Sequence, residues 1–314
     1  MVARVFAFVA VVCLLLTGAA HAQGKTELQW FAQSAFKLTT PGGKVIMIDP
    51  WIMNNPKTPP ELKDLDKLGK IDLILVTHGH GDHFGDSVEL AKKNNAPVLG
   101  TAGMGQTLQV LGILPPALSI RMNKSGTIQP FDGVKITQVH ADHSSEMVLK
   151  DPATGKDGSY PGGEPVGYII ELENGFKIWH MGDTGLFSDM KFIAEYYKPD
   201  LVLIPIGGHF VMSPKDAAFA ISQWIKPKQV MPMHYGTSPA LKGTPEEFKA
   251  ALGNAPVEVI VAGTTTSAYC QWRIHLDTEV GGDERRMTVG DRDLPFQTTG
   301  CDRSEFPSGF ESIA

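Results

Sequence analysis

The stretch ILVTHGHGDHFGD, residues 74–86, joins an aliphatic run to a segment with three histidines and two aspartates. The aliphatic part predicts a buried strand, because it is a short apolar run that ends at turn-forming residues. His78 and His80 are two residues apart, so in an extended turn their imidazoles point to the same side. Asp82 and His83 follow on a second face. One loop at a strand end therefore presents ligands to two neighbouring cations.

This loop alone does not complete two metal sites, since zinc takes about four or five ligands with one position left for water. Three later motifs each place a ligand-type residue directly after a predicted strand: HADHSS with His143, HMGDTG with Asp183 and MPMHYGT with His234. Loops at one edge of rigid sheets converge, so these three residues are expected to meet the first loop and to supply its missing ligands. The sequence therefore predicts a site with two metals. Gly79 and Gly81 are expected to let the first loop turn tightly.

Alternating strand and helix patterns surround these motifs. Early strands, LQWFAQSAFKLTT and KVIMIDPWI, meet at the turn signal PGG, and helical patterns such as DSVELAKKNN and TPEEFKAALG alternate with strands such as APVLGT and DLVLIPIG. Two such halves in succession predict two mixed β-sheets packed face to face with helices on the outer faces. The fold class is therefore α+β, a four-layer αββα sandwich.

The N-terminal segment, residues 1–22, has the pattern of a secretory signal peptide. Arg4 precedes an apolar run shorter than the roughly 20 residues of a membrane span, and Ala20-His21-Ala22 forms a cleavage site. A short N-terminal anchor helix is the alternative. We expect a periplasmic or secreted protein with no stable membrane span after the signal is cleaved.

The remaining chain divides into a hydrolase domain at residues 23–267 and a C-terminal extension at 268–314, where periodicity is lost. Cys270 and Cys301 would be the only cysteines after cleavage of the signal, and they form either a disulfide or two free thiols. The formal net charge of −6 argues against nucleic acid as the main partner. We expect a small-molecule substrate, and the sequence leaves open a homo-oligomer.

As a set, these motifs resemble those of the metallo-β-lactamase superfamily. THGHGDH, Asp49 in MIDP, the downstream histidine, GDT and the late MHY follow its order. The pattern is most similar to the metal-dependent hydrolase branch that includes ascorbate-6-phosphate lactonase-like proteins. HMGDTGLFSDM, PIGGHFVMSPKDA and VMPMHYGT carry that likeness, which covers about residues 28–263. The αββα fold is what this resemblance implies as well.

The resemblance implies two metal-ligand sets that share one carboxylate. They are His78, His80 and His143 on one ion, Asp82, His83 and His234 on the other, and Asp183 between them. Asp49 resembles the residue that orients the ligand loop. His140 is the alternative to His143 as the ligand after this strand. The sequence HSS, which begins at His143, matches the pattern of the branch and favours His143. Histidine and carboxylate ligands suit two divalent ions, zinc first and manganese as the alternative.

Two divalent ions hold a bridging hydroxide and polarise the bond under attack, so the expected reaction is hydrolysis of a lactone, ester or phosphoester. Asp82 and Asp183 are the predicted catalytic residues, with Asp82 orienting the water and passing a proton to the leaving group. Three alternatives stay open: a β-lactamase, a redox enzyme with a single iron, and a metal-binding protein without catalysis.

Substrate contacts are harder to predict from the sequence. His209 follows two glycines that bring the backbone close to a neighbour, so we expect it to line the cleft. Residues 150–165 form a predicted surface loop, and Tyr160 within it is either a substrate contact or uninvolved. His180 either supports a ligand or is a core histidine bonded to backbone.

Overall fold

The computed structural model describes residues 26–261 and the backbone of residues 273–276. The predicted signal peptide, most of the C-terminal extension, Cys270 and Cys301 lie outside the described residues. The signal and the disulfide therefore stay predictions. Within the described part of the chain, no helix has the length and apolar character needed to cross a bilayer.

In the part of the chain that the structure describes, sixteen strands build two large sheets and one hairpin. In chain order they are β1 (Thr26–Trp30), β2 (Phe36–Thr39), β3 (Val45–Ile48), β4 (Leu73–Leu75), β5 (Val98–Thr101), β6 (Ser119–Met122), β7 (Thr127–Phe131), β8 (Val134–His140), β9 (Glu146–Lys150), β10 (Asp157–Pro161), β11 (Val166–Glu171), β12 (Lys177–His180), β13 (Leu201–Pro205), β14 (Gln229–Met233), β15 (Glu258–Val259) and β16 (Arg273–Leu276).

Both large sheets are mixed, as predicted. The first has the order β16-β1-β2-β3-β4-β5-β6, antiparallel from β16 to β3 and parallel from β3 to β6. The second has the order β15-β14-β13-β12-β11-β8-β7, parallel from β15 to β12 and antiparallel beyond. Strands β9 and β10 pair only with each other.

Six α-helices accompany the strands among the described residues. They are α1 (Gly81–Phe84), α2 (Ser87–Asn94), α3 (Ala102–Val110), α4 (Met190–Tyr197), α5 (Pro214–Phe219) and α6 (Pro245–Leu252). Helix α5 continues into a π-helical segment, Ala220–Ile225. Helix α6 begins with an N-cap at Thr244: the Thr244 hydroxyl accepts from the Glu247 amide, and the Glu247 carboxylate accepts from the Thr244 amide.

Alternation along the strands produces three apolar layers. In β3, the buried side chains of Ile46 and Ile48 point between the sheets, while Met47 points to the outer face of the first sheet. Helices cover that outer face through residues such as Leu90, and the outer face of the second sheet is covered in the same way. The four-layer αββα sandwich is therefore confirmed.

Buried polar contacts join the two sheets beside the predicted metal loop. The Tyr168 hydroxyl of β11 lies 2.9 Å from two backbone oxygens of the first sheet. One belongs to Val76, which directly follows β4, and the other to Leu99 in β5. The Val166 amide donates to the Thr77 oxygen at 3.0 Å. These contacts fix the end of β4, and with it the start of the metal loop, against the second sheet.

Two local predictions were wrong. LQWFAQSAFKLTT is two strands, because Ala32 and Gln33 adopt φ values of 73° and 53° and reverse the chain. Five residues of the predicted loop at 150–165, Asp157–Pro161, pair as β10 with β9. At the bend the left-handed residues are not glycines, and Asp157–Pro161 lies in a segment rich in glycine and proline, so the local pattern gave no signal for either feature. Residues 273–276, within the predicted C-terminal extension, form the edge strand β16.

Candidate metal centre

The predicted ligands lie together because their strands end at one edge of the sandwich. His78 follows β4, His143 follows β8, Asp183 follows β12 and His234 directly follows β14. All four strands run toward the same edge, and the loops beyond them converge there. Asp82 lies in the one-turn helix α1 immediately after the first histidines.

The first donor group contains three histidines: His78, His80 and His143. The His78 Nε2 atom lies 3.0 Å from His80 Nδ1. The ring centroid of His143 lies 5.0 Å from each of the other two rings. One nitrogen from each residue falls within 4.8 Å of the others, which is a spacing that one cation can bridge.

The second donor group contains Asp82, His83, Asp183 and His234, again with ligand atoms within 4.8 Å of one another. The Asp183 carboxylate is at its centre, with Oδ1 3.2 Å from His83 Nε2 and Oδ2 2.9 Å from His234 Nε2. Asp183 Oδ2 also lies 3.7 Å from His143 Nε2 in the first group. The carboxylate therefore stands between the two groups.

A buried carboxylate behind the second group fixes the orientation of His83. The Oδ2 atom of Asp49 lies 2.7 Å from His83 Nδ1 and accepts the Thr77 hydroxyl at 2.8 Å, while its Oδ1 accepts the Thr77 amide at 2.8 Å. Because the carboxylate accepts at Nδ1, the lone pair of His83 lies on Nε2, which faces Asp183. Asp49 thus orients the ligand loop, as the resemblance implied.

Two of the potential ligand atoms lack a hydrogen-bond partner within the protein, as expected of atoms that bind a cation. His83 Nε2 and Asp183 Oδ1 are fully buried, yet neither makes a well-formed hydrogen bond. Buried polar atoms left without a partner are costly, so such a pair points to a bound group that satisfies both. Five imidazoles and two carboxylates suit zinc or manganese.

The two groups have opposite electrostatics. Burial lowers the pKa of His143, and burial together with the charge of His83 lowers that of His78 well below its usual value. Burial also opposes charge on His83, but Asp183 and its neighbouring carboxylates outweigh it and raise that pKa well above the usual value. Against the same cost of burial, Asp183 raises the pKa of His234 to about 9.

The glycines of the loop serve a different purpose from the one expected. Neither Gly79 nor Gly81 has a positive φ. A Cβ on Gly79 would lie 2.5 Å from the Met147 side chain and 3.2 Å from the backbone oxygens of residues 145 and 146. Gly79 therefore provides space for the chain leading into β9, whereas Gly81 faces open space.

The other predicted residues are spread around the site. His140 points away from the donor groups and packs against Phe187, with ring centroids 4.8 Å apart. His180 is a buried core histidine whose Nε2 lies 3.0 Å from the Ser34 oxygen. His209 is exposed on the turn after β13 and packs against Phe210. Tyr160 is half-buried in β10, with its hydroxyl 3.4 Å from Asp151.

Several contacts of the ligands were not predicted from the sequence. Ser144 Oγ lies 3.2 Å from His80 Nε2, and Glu146 Oε2 lies 3.4 Å from the same atom. The side-chain amide of Gln33 reaches Asp82 and His234 from the bend between β1 and β2. The polar pair Gln33-Ser34 inside an apolar strand pattern was the one available signal of that bend.

Comparison with known proteins identifies the family of the chain. A family model described as "Beta-lactamase superfamily domain" matches residues 44–235. A "UPF0173 metal-dependent hydrolase" from Polaromonas sp. is 63% identical over 239 residues, covering 76% of this chain and 88% of the relative. One of the same description from Cupriavidus metallidurans is 60% identical over 253 residues, covering 80% of this chain and 84% of the relative.

Among solved structures, a metallo hydrolase from the hyperthermophilic archaeon Ignicoccus hospitalis is 32% identical with a TM-score of 0.68, covering 81% of this chain and all of that one. The family domain spans more than half of the chain, and the two relatives match over most of their own length. The chain therefore belongs to the metallo-β-lactamase superfamily and, within it, to the UPF0173 metal-dependent hydrolases.

Proposed function

We propose that this metal-dependent hydrolase is exported and uses two divalent ions to cleave a lactone, an ester or a phosphoester. The position of Asp183 carries the proposal, because its carboxylate contacts histidines of both donor groups. A carboxylate that lies between two groups of ligands can contribute to both, so its position favours a site for two ions over a site for one. The N-terminal signal pattern supports export to the periplasm or the exterior.

The first ion would be held by His78, His80 and His143, and the second by Asp82, His83, Asp183 and His234. Such ions, most simply zinc, supply Lewis acidity that lowers the pKa of water and polarises the oxygen of the bond under attack. The side chains of the protein itself orient the water and transfer protons, and they differ in how far they are exposed to solvent.

Asp82 is the member of the second group best placed to handle protons. Its side chain is 31% exposed, whereas that of Asp183 is 3% exposed. The surrounding histidines overcome the effect of burial and hold the pKa of Asp82 below its usual range, so its carboxylate is an acceptor at neutral pH. Asp82 therefore orients the attacking water and carries a proton toward the leaving group, while Asp183 holds the centre.

Two exposed apolar side chains stand in loops beside the donor groups, which favours an uncharged substrate moiety near them. Phe210 is 57% exposed and Leu186 is 37% exposed, in the loops that follow β13 and Asp183. The Met212 amide donates to the Thr184 oxygen at 3.0 Å, so these two loops lie side by side. We propose that His209 lines the cleft; Tyr160 is a weaker candidate because its hydroxyl bonds within the hairpin.

A substrate panel tests the proposal directly. The mature, zinc-loaded protein is assayed with lactones, aryl esters, phosphodiesters and β-lactams, and its metal content is measured. We expect two ions per chain and turnover of a lactone, ester or phosphoester above any β-lactam. Hydrolysis of β-lactams alone would overturn the substrate assignment, and one iron with oxygen consumption would overturn the reaction. Metal bound without turnover would favour a non-catalytic role.

The opposite pKa shifts predict how zinc binding depends on pH. His78 and His143 are neutral at pH 7, so filling the first group releases no proton from them. The pKa of His83 lies well above its usual value and that of His234 is about 9, so both carry protons at pH 7 in the metal-free protein and must lose them to bind zinc. Affinity at the second group therefore rises by about tenfold per pH unit for each proton released, up to that range.

Isothermal titration of the metal-free protein in buffers of different ionisation enthalpy measures this release. We expect a first zinc whose binding is nearly independent of pH above 7, and a second whose binding strengthens as pH rises and releases protons. Two steps with the same pH dependence would contradict the assignment of protons to the second group.

A further inference from the structure

Gln33 reaches the second donor group from outside the metal motifs. It is buried, with 1% of its surface exposed, and its Nε2 lies 2.8 Å from Asp82 Oδ2 and 2.7 Å from His234 Nε2. The Thr237 hydroxyl donates to the other end of the amide, Oε1. An ionised carboxylate only accepts, so the face toward Asp82 must be the NH₂ group.

The backbone around Gln33 is held in an unfavourable conformation to achieve this. Gln33 has a φ of 53° and His234 a φ of 54°, both in the left-handed region that costs energy for residues other than glycine. The Gln33 oxygen accepts the His234 amide at 3.0 Å and the Trp30 indole N–H at 3.0 Å. The fold thus fixes the Gln33 side chain and a ligand histidine relative to each other.

The amide has two hydrogens, and they have different acceptors available. An imidazole nitrogen has one lone pair, so His234 Nε2 does not accept from Gln33 when it carries a proton or would bind a metal. Asp82 keeps lone pairs for one N–H. The second N–H of Gln33 is then left without an acceptor, at a position among the donor atoms of the site.

From this arrangement we propose that Gln33 is a substrate-binding residue, whose free N–H donates a hydrogen bond to an oxygen of the substrate. The other N–H holds the Asp82 carboxylate in place. A donor fixed in this way stabilises negative charge that develops on a carbonyl or phosphoryl oxygen during hydrolysis. The inference rests on the proposed two-metal hydrolysis and assigns a role to a residue outside its ligand sets.

Gln33→Leu is the test variant, because leucine has a similar size and no donor. Gln33→Glu keeps the shape and can still accept from Thr237, but cannot donate when ionised. The matched control is Thr58→Val, since the buried Thr58 hydroxyl donates to the Phe31 oxygen of the same bend at 2.7 Å without touching a ligand. Three quantities are measured: zinc bound per chain, affinity of the zinc-loaded protein for inorganic phosphate, and kcat on the best panel substrate.

We expect both Gln33 variants to bind the same number of zinc ions as the wild type. Phosphate binding should weaken by about tenfold in Gln33→Leu, and further in Gln33→Glu because of charge repulsion. The value of kcat should fall by about ten- to a hundredfold while Thr58→Val changes neither quantity. Unchanged phosphate affinity in both Gln33 variants, or loss of a zinc ion that accounts for the effect, would overturn the inference.

The phosphate measurement needs no turnover, so the two proposals fail separately. A wild-type protein that binds phosphate through Gln33 but hydrolyses nothing in the panel refutes the proposed function alone. A hydrolase whose kcat and phosphate affinity are indifferent to Gln33→Leu refutes the role of Gln33 alone.

Discussion

Replacing Asp183 with asparagine is expected to lower kcat/KM by at least about a thousandfold and to reduce the metal content of the protein. The carboxylate lies between the two donor groups, 3.2 Å from His83, 2.9 Å from His234 and 3.7 Å from His143. Asparagine has nearly the same size but lacks the negative charge, so the fold is kept while the shared ligand is lost. Metal analysis and steady-state kinetics on a panel substrate measure both effects.

A second readout for Asp183→Asn needs no metal. The Asp183 carboxylate is the main favourable influence that raises the pKa of His234 to about 9 against the cost of burial. Without it, that pKa should fall, which an NMR titration of the metal-free variant detects. Asp200→Asn is the control, because Asp200 is also buried but accepts the Lys177 amide at 3.0 Å near the start of β13. Wild-type turnover in Asp183→Asn would rule out the shared-carboxylate mechanism.

For Asp49→Asn, we expect zinc affinity at the second donor group to fall by about ten- to a hundredfold. The Asp49 carboxylate accepts at His83 Nδ1, 2.7 Å away, and leaves the lone pair on Nε2. An amide NH₂ in that place would favour the tautomer with hydrogen on Nε2, which does not bind a cation. Two hydrogen bonds from Thr77 also weaken, so unfolding should become easier by about 1–3 kcal/mol.

Zinc titration and thermal unfolding of metal-free Asp49→Asn separate the two effects. Asp72→Asn is the control: Asp72 accepts the Val45 amide at 2.9 Å, just before β4, and touches no ligand. We expect it to lose stability without losing zinc affinity. If Asp49→Asn bound the second zinc as tightly as the wild type, the orientation of His83 would not depend on Asp49.

Much of the fold was predictable because its signals are local. The buried run before His78, the helix in TPEEFKAALG and the strands that precede His143 and His234 were predicted from residues adjacent in sequence. The succession of strand and helix patterns also predicted the layers, and the three apolar clusters confirm them. The bend at Gln33 was not predicted, because its left-handed residues are not glycines and therefore give no turn signal in the sequence. Distant contacts stabilise it, such as the hydrogen bond from the His234 amide to the Gln33 oxygen.

The sequence by itself determined which side chains were available as ligands and that they follow strands, since residue type and strand pattern are local properties. Only the tertiary structure decided which of them meet: it excluded His140, set Asp183 between the two groups and brought Gln33 to Asp82. It also showed why a glycine stands at position 79: the residue was expected to allow a tight turn, but its missing side chain leaves room for Met147. Contacts between residues far apart in the chain depend on how two sheets pack, and no local pattern records that geometry.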